Sequence, residues 1–166
     1  MKAYPRSKLF IRQIANQIRE ILQVNKSEKI NIIYLLENVI CELLDISLEI
    51  VESKEMVDKY AEYNPIDKTI KLREDVYDRA IQGIGRDRFT VAHEIGHIFL
   101  HSNNIAMARS DEKIPIYCDP EWQANTFARE FLCPLNGISM DDDVDTISKK
   151  YGVSKEVANI QLSAKK

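Results

Sequence analysis

Apolar residues recur at helical spacing through the first part of the chain and alternate with polar residues further on. Residues 7–24 carry apolar side chains at every third or fourth position, which predicts an amphipathic helix. After a polar break, residues 32–44 present a broad apolar face and predict a second helix. Apolar and polar side chains alternate over 46–50 and again over 69–72, which predicts two strands. We expect these strands to form a small antiparallel sheet.

The second half of the chain is predicted to be mainly helical. Its expected elements are a short helix over 75–82, a long helix over 86–101, a loop over 102–118, a helix from Asp119-Pro120 to Pro134, and closing helices over 143–150 and 154–163. The helix after the loop has the clearest start, because Asp is a good N-cap and Pro is favoured at the first helical position. Helices, then a small sheet, then helices predict the α+β class.

Length and composition indicate one globular domain. A chain of 166 residues suits a single domain, divided here into N-terminal helices (1–45), a sheet with the helices that follow it (46–134) and a C-terminal helical hairpin (135–166). The net charge of −3 lacks the basic excess typical of nucleic-acid binders. Three cysteines without a Cys-x-x-Cys pair, and no apolar signal segment, favour a cytoplasmic protein with no membrane partner.

The chemistry is concentrated in the predicted helix over 86–101. Apolar residues point in nearly every direction around its wheel between Thr90 and Leu100, which is typical of a buried helix. Within that stretch lie His93, Glu94 and His97. Because burial of unpaired polar groups costs free energy, these side chains require partners.

A metal ion is the partner that fits their spacing. His93 and His97 are four residues apart, so they share one helix face and can bind a single zinc ion. Glu94 lies about 100° away around the axis, where it can activate water as a general base rather than compete as a ligand. This division of roles is the one that a His-Glu-x-x-His motif expresses. The alternative is a pair of core histidines with ordinary hydrogen-bond partners.

His101 is a tempting third ligand, but helix geometry opposes it. It lies eight residues after His93, so the two Cα atoms are separated by about 12 Å along the axis. We interpret His101 as a C-terminal histidine that interacts favourably with the helix dipole.

A better third ligand lies on the next predicted helix. Glu121 and Asn125 flank its apolar stripe one turn apart, so Glu121 can bind the metal while Asn125 orients a ligand from outside. Glu130 falls nearer the polar side and is rejected. Cys118 and Asp119 remain alternatives, and Glu121 has a rival role as an acid that stabilises the helix N-terminus. Two histidines and one glutamate leave a fourth position open, as in catalytic zinc sites.

Both motif helices carry a family resemblance. The sequence RFTVAHEIGHIFLH (88–101), followed by EWQANTFAREFLCP (121–134), resembles the ImmA/IrrE family of zinc metallopeptidases. The resemblance implies a zincin-like core, one zinc ion on His93, His97 and Glu121, and Glu94 as the general base. The chain departs from the family at Cys133, where methionine is usual, and we expect this to affect packing only.

The resemblance also implies a function. A member of this family is expected to cleave or inactivate a helix-turn-helix transcriptional repressor during a stress response or the induction of a mobile element. A second donor to the reaction's oxyanion is expected, and Tyr63, Arg88 and Tyr117 are the candidates. For Arg88 a salt bridge near the helix start is the competing interpretation.

Two other functions are compatible with the sequence. The first is a zinc-containing regulator that binds a protein partner without turnover. The second is DNA binding through the C-terminal helices, where residues 145–162 resemble half of a helix-turn-helix. Direct nucleic-acid binding is not expected, because the second helix lacks arginine and Asp141–Asp143 precede the unit.

Overall fold

The computed structural model describes residues 3–101 and 114–165. Within these two ranges the chain forms eight α-helices and one three-stranded sheet. The helices are α1 (Lys8–Ile21), α2 (Ile32–Leu35), α3 (Cys41–Leu44), α4 (Glu74–Ile81), α5 (Gly85–His101), α6 (Pro120–Leu132), α7 (Val144–Tyr151) and α8 (Lys155–Lys165). The strands are β1 (Ser47–Val51), β2 (Ala61–Asn64) and β3 (Thr69–Arg73). This order confirms the predicted α+β class.

The N-terminal helices form where the apolar pattern predicts them. Ser7 caps α1 by accepting a hydrogen bond from the Phe10 amide, and the buried face of α1 packs against α6. The second predicted helix is α2 and α3 joined by a π-helical segment over Leu36–Ile40. It ends at Asp45, whose left-handed backbone (φ 54°) stops further helical hydrogen bonding.

The sheet is mixed, and the expectation of a purely antiparallel sheet is wrong. Its strand order is β1-β3-β2, with β1 parallel to β3 and β2 antiparallel to β3. The turn at 65–68 joins β2 and β3 in a hairpin, and β2 occupies one edge of β3. β1 pairs with the other edge of β3 and runs parallel to it. The strand β2 was not predicted, because its four residues, Ala-Glu-Tyr-Asn, show no clear apolar alternation.

The predicted buried helix is α5, and its closest partner is α6. Residues on all sides of α5 are buried, as the wheel predicts. Asp119 caps α6 through the Glu121 amide, with Pro120 in the first turn. The strand β2 and the helix α4 also contact α5. Two helices and one sheet edge therefore surround the motif residues.

The two closing helices are present as predicted. α7 ends at Gly152, whose left-handed backbone (φ 62°) turns the chain toward α8. This turn packs closely on the start of α5, since a Cβ on Gly85 would lie 2.7 Å from the backbone of Val153 and Ser154. Of the predicted loop over 102–118, residues 102–113 lie outside the described ranges, and Ile116–Cys118 form a 3₁₀ turn.

Two further features concern the cysteines and the lengths of the helices. Cys41, Cys118 and Cys133 are all free and buried. Among the described residues, no helix has both the length and the apolar character needed to cross a bilayer.

Candidate metal centre

Two imidazoles on α5 face the same point. His93 and His97 lie one turn apart, and their Nε2 atoms are 3.0 Å from each other. The two ring centroids are 4.7 Å apart with the planes at 70°. The i, i+4 spacing on a straight helix produces this convergence without any strained backbone.

The first turn of α6 brings a carboxylate to the same point. Glu121 Oε2 lies 3.1 Å from His93 Nε2, and Glu121 Oε1 lies 3.5 Å from His97 Nε2. Asp119 caps the start of α6 by accepting a hydrogen bond from the Glu121 amide, and the packing of α6 against α5 brings the carboxylate to the histidines. The structure thus brings together the three residues that the sequence analysis selected as ligands.

The three donor groups fit one metal ion. Their ligand atoms all lie within 4.8 Å of one another. Atoms that bind one zinc ion at about 2.0–2.2 Å cannot be more than about 4.4 Å apart, and the observed pairs at 3.0, 3.1 and 3.5 Å meet this condition. The Glu121 side chain is 64% exposed, so solvent reaches the site from one side. Two imidazoles and one carboxylate are a donor set that zinc accepts readily.

Each histidine is oriented by its other ring nitrogen. His93 Nδ1 lies 2.9 Å from Asn125 Oδ1. An amide oxygen can only accept, so His93 donates from Nδ1, and Nε2 is the nitrogen that faces Glu121 and His97. Asn125 therefore occupies the orienting position that the sequence analysis proposed for it.

His101 orients the second histidine, and its predicted role at the helix dipole is wrong. His101 Nδ1 lies 2.9 Å from His97 Nδ1, and its Nε2 contacts Gln123. Burial lowers the pKa of His101 to about 4, so the ring is neutral near pH 7. The cation at the C-terminus of α5 is Arg6, whose Nη2 donates to the Leu100 carbonyl at 2.9 Å.

Glu94 lies beside the ligands but points to the sheet. Its side chain is buried, with 7% of the residue exposed, and Oε2 accepts a hydrogen bond of 2.8 Å from the Tyr63 amide on β2. Burial raises the pKa of Glu94, although the nearby histidines and the Tyr63 amide oppose that shift. A carboxylate with a raised pKa is better suited to exchange a proton near neutral pH.

The ligand set is electrostatically coupled. Hydrogen bonds from His93 and His97 hold the pKa of Glu121 well below its ordinary range, so its carboxylate is ionised. Burial opposes protonation of His93, but the Glu121 hydrogen bond and the charges of Glu94 and Glu121 outweigh it and raise the His93 pKa. These acidic groups would equally stabilise a bound cation.

Gly96, between the two ligand histidines, allows the helices to approach, a role that the sequence analysis did not assign. A Cβ at this position would lie 3.1 Å from a ring carbon of Phe127 and 3.2 Å from the backbone of Ala124. Any larger residue would push α6 away from α5. The available signal was a glycine inside an otherwise strong helical pattern, which often marks close packing.

The three candidate oxyanion donors differ in their contacts. Tyr63 contacts the site through its main-chain amide, which binds Glu94. The Tyr117 side chain is exposed, and its carbonyl accepts hydrogen bonds from the Arg6 amide and from Gln123. Arg88 is buried elsewhere and donates to the carbonyls of Ile30, Tyr151 and Gly152, so neither the oxyanion role nor the salt bridge is supported.

The rejection of Glu130 as a ligand agrees with the structure, but the reason given for it is wrong. Glu130 does not face the polar side of α6, because it is fully buried. Its carboxylate forms a two-bonded ion pair with Arg12 on α1, at 3.0 and 3.1 Å. The wheel cannot distinguish a solvent face from one covered by another helix.

Comparison with known proteins identifies the family. Residues 82–163, about half of the chain, match the model of peptidase family M78, described as the IrrE N-terminal-like domain. The chain belongs to the ImmA/IrrE family. No curated protein matches it significantly. No solved structure does so either.

Family membership adds to the geometry in two ways. The match runs from the end of α4 through most of α8, so it includes the three converging ligands and Glu94. Membership in this peptidase family supports a function of the metallopeptidase type. The α+β fold, with its mixed sheet beside α5, is consistent with a zincin-like core.

Proposed function

We propose that this protein is a zinc-dependent metalloendopeptidase, a hydrolase of peptide bonds. The observation that carries the proposal is the convergence of His93, His97 and Glu121 on one point, with the buried carboxylate of Glu94 on the adjacent face of α5. One zinc ion would be held by the two Nε2 atoms and the Glu121 carboxylate. Bound there, it would supply Lewis acidity to the scissile carbonyl and to water.

The protein's own groups account for the proton transfers. Glu94 accepts a proton as water attacks the carbonyl carbon, and then delivers that proton to the nitrogen of the departing amine. The Tyr63 amide keeps the Glu94 carboxylate in one orientation throughout. Asn125 and His101 keep the ligand nitrogens directed inward. One C–N bond breaks, one C–O bond forms, and no redox partner is required.

The family suggests the substrate. We propose a helix-turn-helix transcriptional repressor, cut or inactivated in a stress response or in the induction of a mobile element. The open side of the site at Glu121 is compatible with a protein substrate rather than a small enclosed ligand. We place the reaction in the cytoplasm, because three free, buried thiols fit a reducing compartment.

Matched glutamine variants test the proposal. Glu94→Gln should retain stoichiometric zinc but lose about 10²- to 10⁴-fold in cleavage rate, since general acid–base catalysis contributes that much. Glu130→Gln, another buried glutamate but one paired with Arg12, should retain both zinc and cleavage in its folded fraction. Zinc content is measured by elemental analysis. Cleavage is measured by mass spectrometry of peptides released from a candidate repressor, taken from a neighbouring gene or a co-purified protein.

The same variants separate the competing functions. If Glu94→Gln relieves repression as fully as the wild-type protein with normal zinc, the protein is a binding regulator and not a peptidase. A salt-dependent gel shift by the isolated protein would favour DNA binding instead. The packing of the α7–α8 turn against Gly85 does not support that function, because it covers the turn of the hairpin.

A further inference from the structure

A chain of side-chain hydrogen bonds leads from His97 into the protein interior. His97 Nδ1 and His101 Nδ1 are 2.9 Å apart, and His101 Nε2 lies 3.0 Å from Gln123 Oε1. Gln123 Nε2 then donates to two main-chain carbonyls, those of Tyr4 and Tyr117, each at 2.7 Å. These hydrogen bonds therefore connect α5, α6 and the N-terminal segment.

We propose that His101 and Gln123 are positioning residues that fix the tautomer and ring orientation of His97, so that His97 Nε2 faces the metal. This inference rests on the proposed metal centre but not on peptide hydrolysis. Neither residue is a metal ligand. Both act through His97, and the main chain of the N-terminal segment anchors them.

The direction of every hydrogen bond follows from the anchored end. The carbonyls of Tyr4 and Tyr117 can only accept, so the Gln123 amide nitrogen faces them and its oxygen faces His101. That oxygen can only accept, so His101 donates from Nε2 and offers Nδ1 as the acceptor in its contact with His97. His97 then donates from Nδ1, which leaves its Nε2 as the nitrogen that faces His93 and Glu121.

The anchor is shielded from water and is held by main-chain hydrogen bonds. Gln123 is 0% exposed, so no solvent competes for its amide. The N-terminal segment is tied to the turn before α6 by two backbone hydrogen bonds, Ala3 N–H to Cys118 O at 2.8 Å and Arg6 N–H to Tyr117 O at 2.9 Å. The Arg6 side chain also donates to the Leu100 carbonyl at the end of α5. The N-terminal segment thus contacts both metal-site helices.

Four variants test this positioning role through zinc affinity rather than through activity. Gln123→Leu removes the anchor and His101→Leu removes the acceptor for His97. Loss of a partner outside the ligand shell should weaken zinc binding about 10- to 100-fold. His101→Asn places an amide oxygen near the former Nδ1 and should restore most of that affinity. Gln161→Leu is the matched control, because Gln161 is also 0% exposed and donates to a carbonyl, that of Cys133 directly after α6.

Affinity is measured by chelator competition and compared with the melting temperature of the metal-free protein. Gln161→Leu should lower the melting temperature without changing the zinc Kd, whereas Gln123→Leu should change the Kd. If Gln123→Leu and His101→Leu both bind zinc with wild-type affinity, the proposed positioning role is wrong, whereas the proposed metal centre is unaffected. Failure of the wild-type protein to bind zinc would instead overturn the metal centre.

A second measurement uses only the wild-type protein, so it tests the proposal even if a variant fails to fold. Long-range ¹H–¹⁵N NMR of the metal-free wild-type protein reads the tautomer of each histidine. The proposed positioning requires a proton on Nδ1 of His97 and on Nε2 of His101. The opposite tautomers would overturn the proposal.

Discussion

Two groups of polar side chains differ in what they bind. In the candidate metal centre, His93, His97 and Glu121 direct their ligand atoms at one another. In a second group, here called the carbonyl-binding cluster, Arg19, Arg88 and Gln161 each donate to main-chain carbonyls. Both groups lie next to α5 or α6. Polar burial by itself therefore does not indicate a functional site.

The two groups differ in the partners that their polar atoms contact. Arg88 donates to the carbonyls of Ile30, Tyr151 and Gly152 at 2.8, 3.2 and 2.8 Å, and so connects α5 to two other segments of the chain. Its requirement is met within the protein, and burial without a carboxylate partner lowers its pKa to about 10. The metal-site nitrogens converge on a point shared with an exposed carboxylate. A bound ion would satisfy those nitrogens, whereas Arg88 already has hydrogen-bond acceptors within the protein.

The largest expected effect is the loss of zinc on removal of a ligand. His93→Ala and Glu121→Ala should each weaken zinc binding by more than about 100-fold, because even outer contacts contribute about 10- to 100-fold. Elemental analysis and chelator competition measure this. Glu130→Ala, which breaks the ion pair with Arg12, should retain zinc. Zinc retained by Glu121→Ala and lost by Glu130→Ala would reverse the ligand assignment.

The next effect belongs to the carbonyl-binding cluster and should appear in stability alone. Arg88→Leu leaves three carbonyls without their donor, and each buried unpaired group costs about 1–3 kcal/mol. We expect the free energy of unfolding to fall by about 3 kcal/mol or more, measured by urea denaturation. Arg86→Leu, an exposed position on the same helix, should cost less than about 1 kcal/mol. A loss of zinc from folded Arg88→Leu protein would break the distinction between the two groups.

Gly96→Ala should affect both stability and zinc binding. The added methyl group meets Phe127 and the Ala124 backbone at 3.1–3.2 Å, and backbone cannot move aside cheaply. Overpacking costs about 1–3 kcal/mol, of which the better helix propensity of alanine offsets about 1 kcal/mol. We expect a net loss of stability and weaker zinc binding, since Glu121 moves with α6. Unchanged affinity would show that the helix spacing does not control the ligand geometry.

The smallest effect is a pH dependence near the carbonyl-binding cluster. Burial raises the pKa of the Cys133 thiol to about 12 from an ordinary value of 9.0. Between these values the unfolded chain loses a proton that the folded chain keeps, so stability falls as pH rises through this window. Urea denaturation at pH 7 and pH 10 should show a smaller difference for Cys133→Ala than for the wild-type protein. An equal difference would contradict the shift.

Much of the candidate metal centre was predictable because it depends on local periodicity. The i, i+4 spacing places His93 and His97 on one face of any helix, and Asp119-Pro120 fixes where α6 begins. Glu121 and Asn125 then follow one turn apart. The apolar surroundings of α5 indicated burial, and the structure confirms it.

Interactions between distant segments were not predictable. The parallel pairing of β1 with β3 depends on β2, which is too short to give a pattern. The wheel of α6 placed Glu130 on a polar side, but α1 covers that side and supplies Arg12. His101 had the sequence position of a dipole-interacting residue, yet burial lowers its pKa and its two ring nitrogens contact His97 and Gln123.

The sequence by itself determined which residues carry donor atoms and which helix face each one occupies, because the helical period follows from the backbone alone. Only the tertiary structure decided which of those faces meet. Packing between α5, α6 and the N-terminal segment turned Arg88 toward carbonyls and linked Gln123 to the histidines. Burial and hydrogen-bond partners arise between segments distant in the chain, and local periodicity contains no information about them.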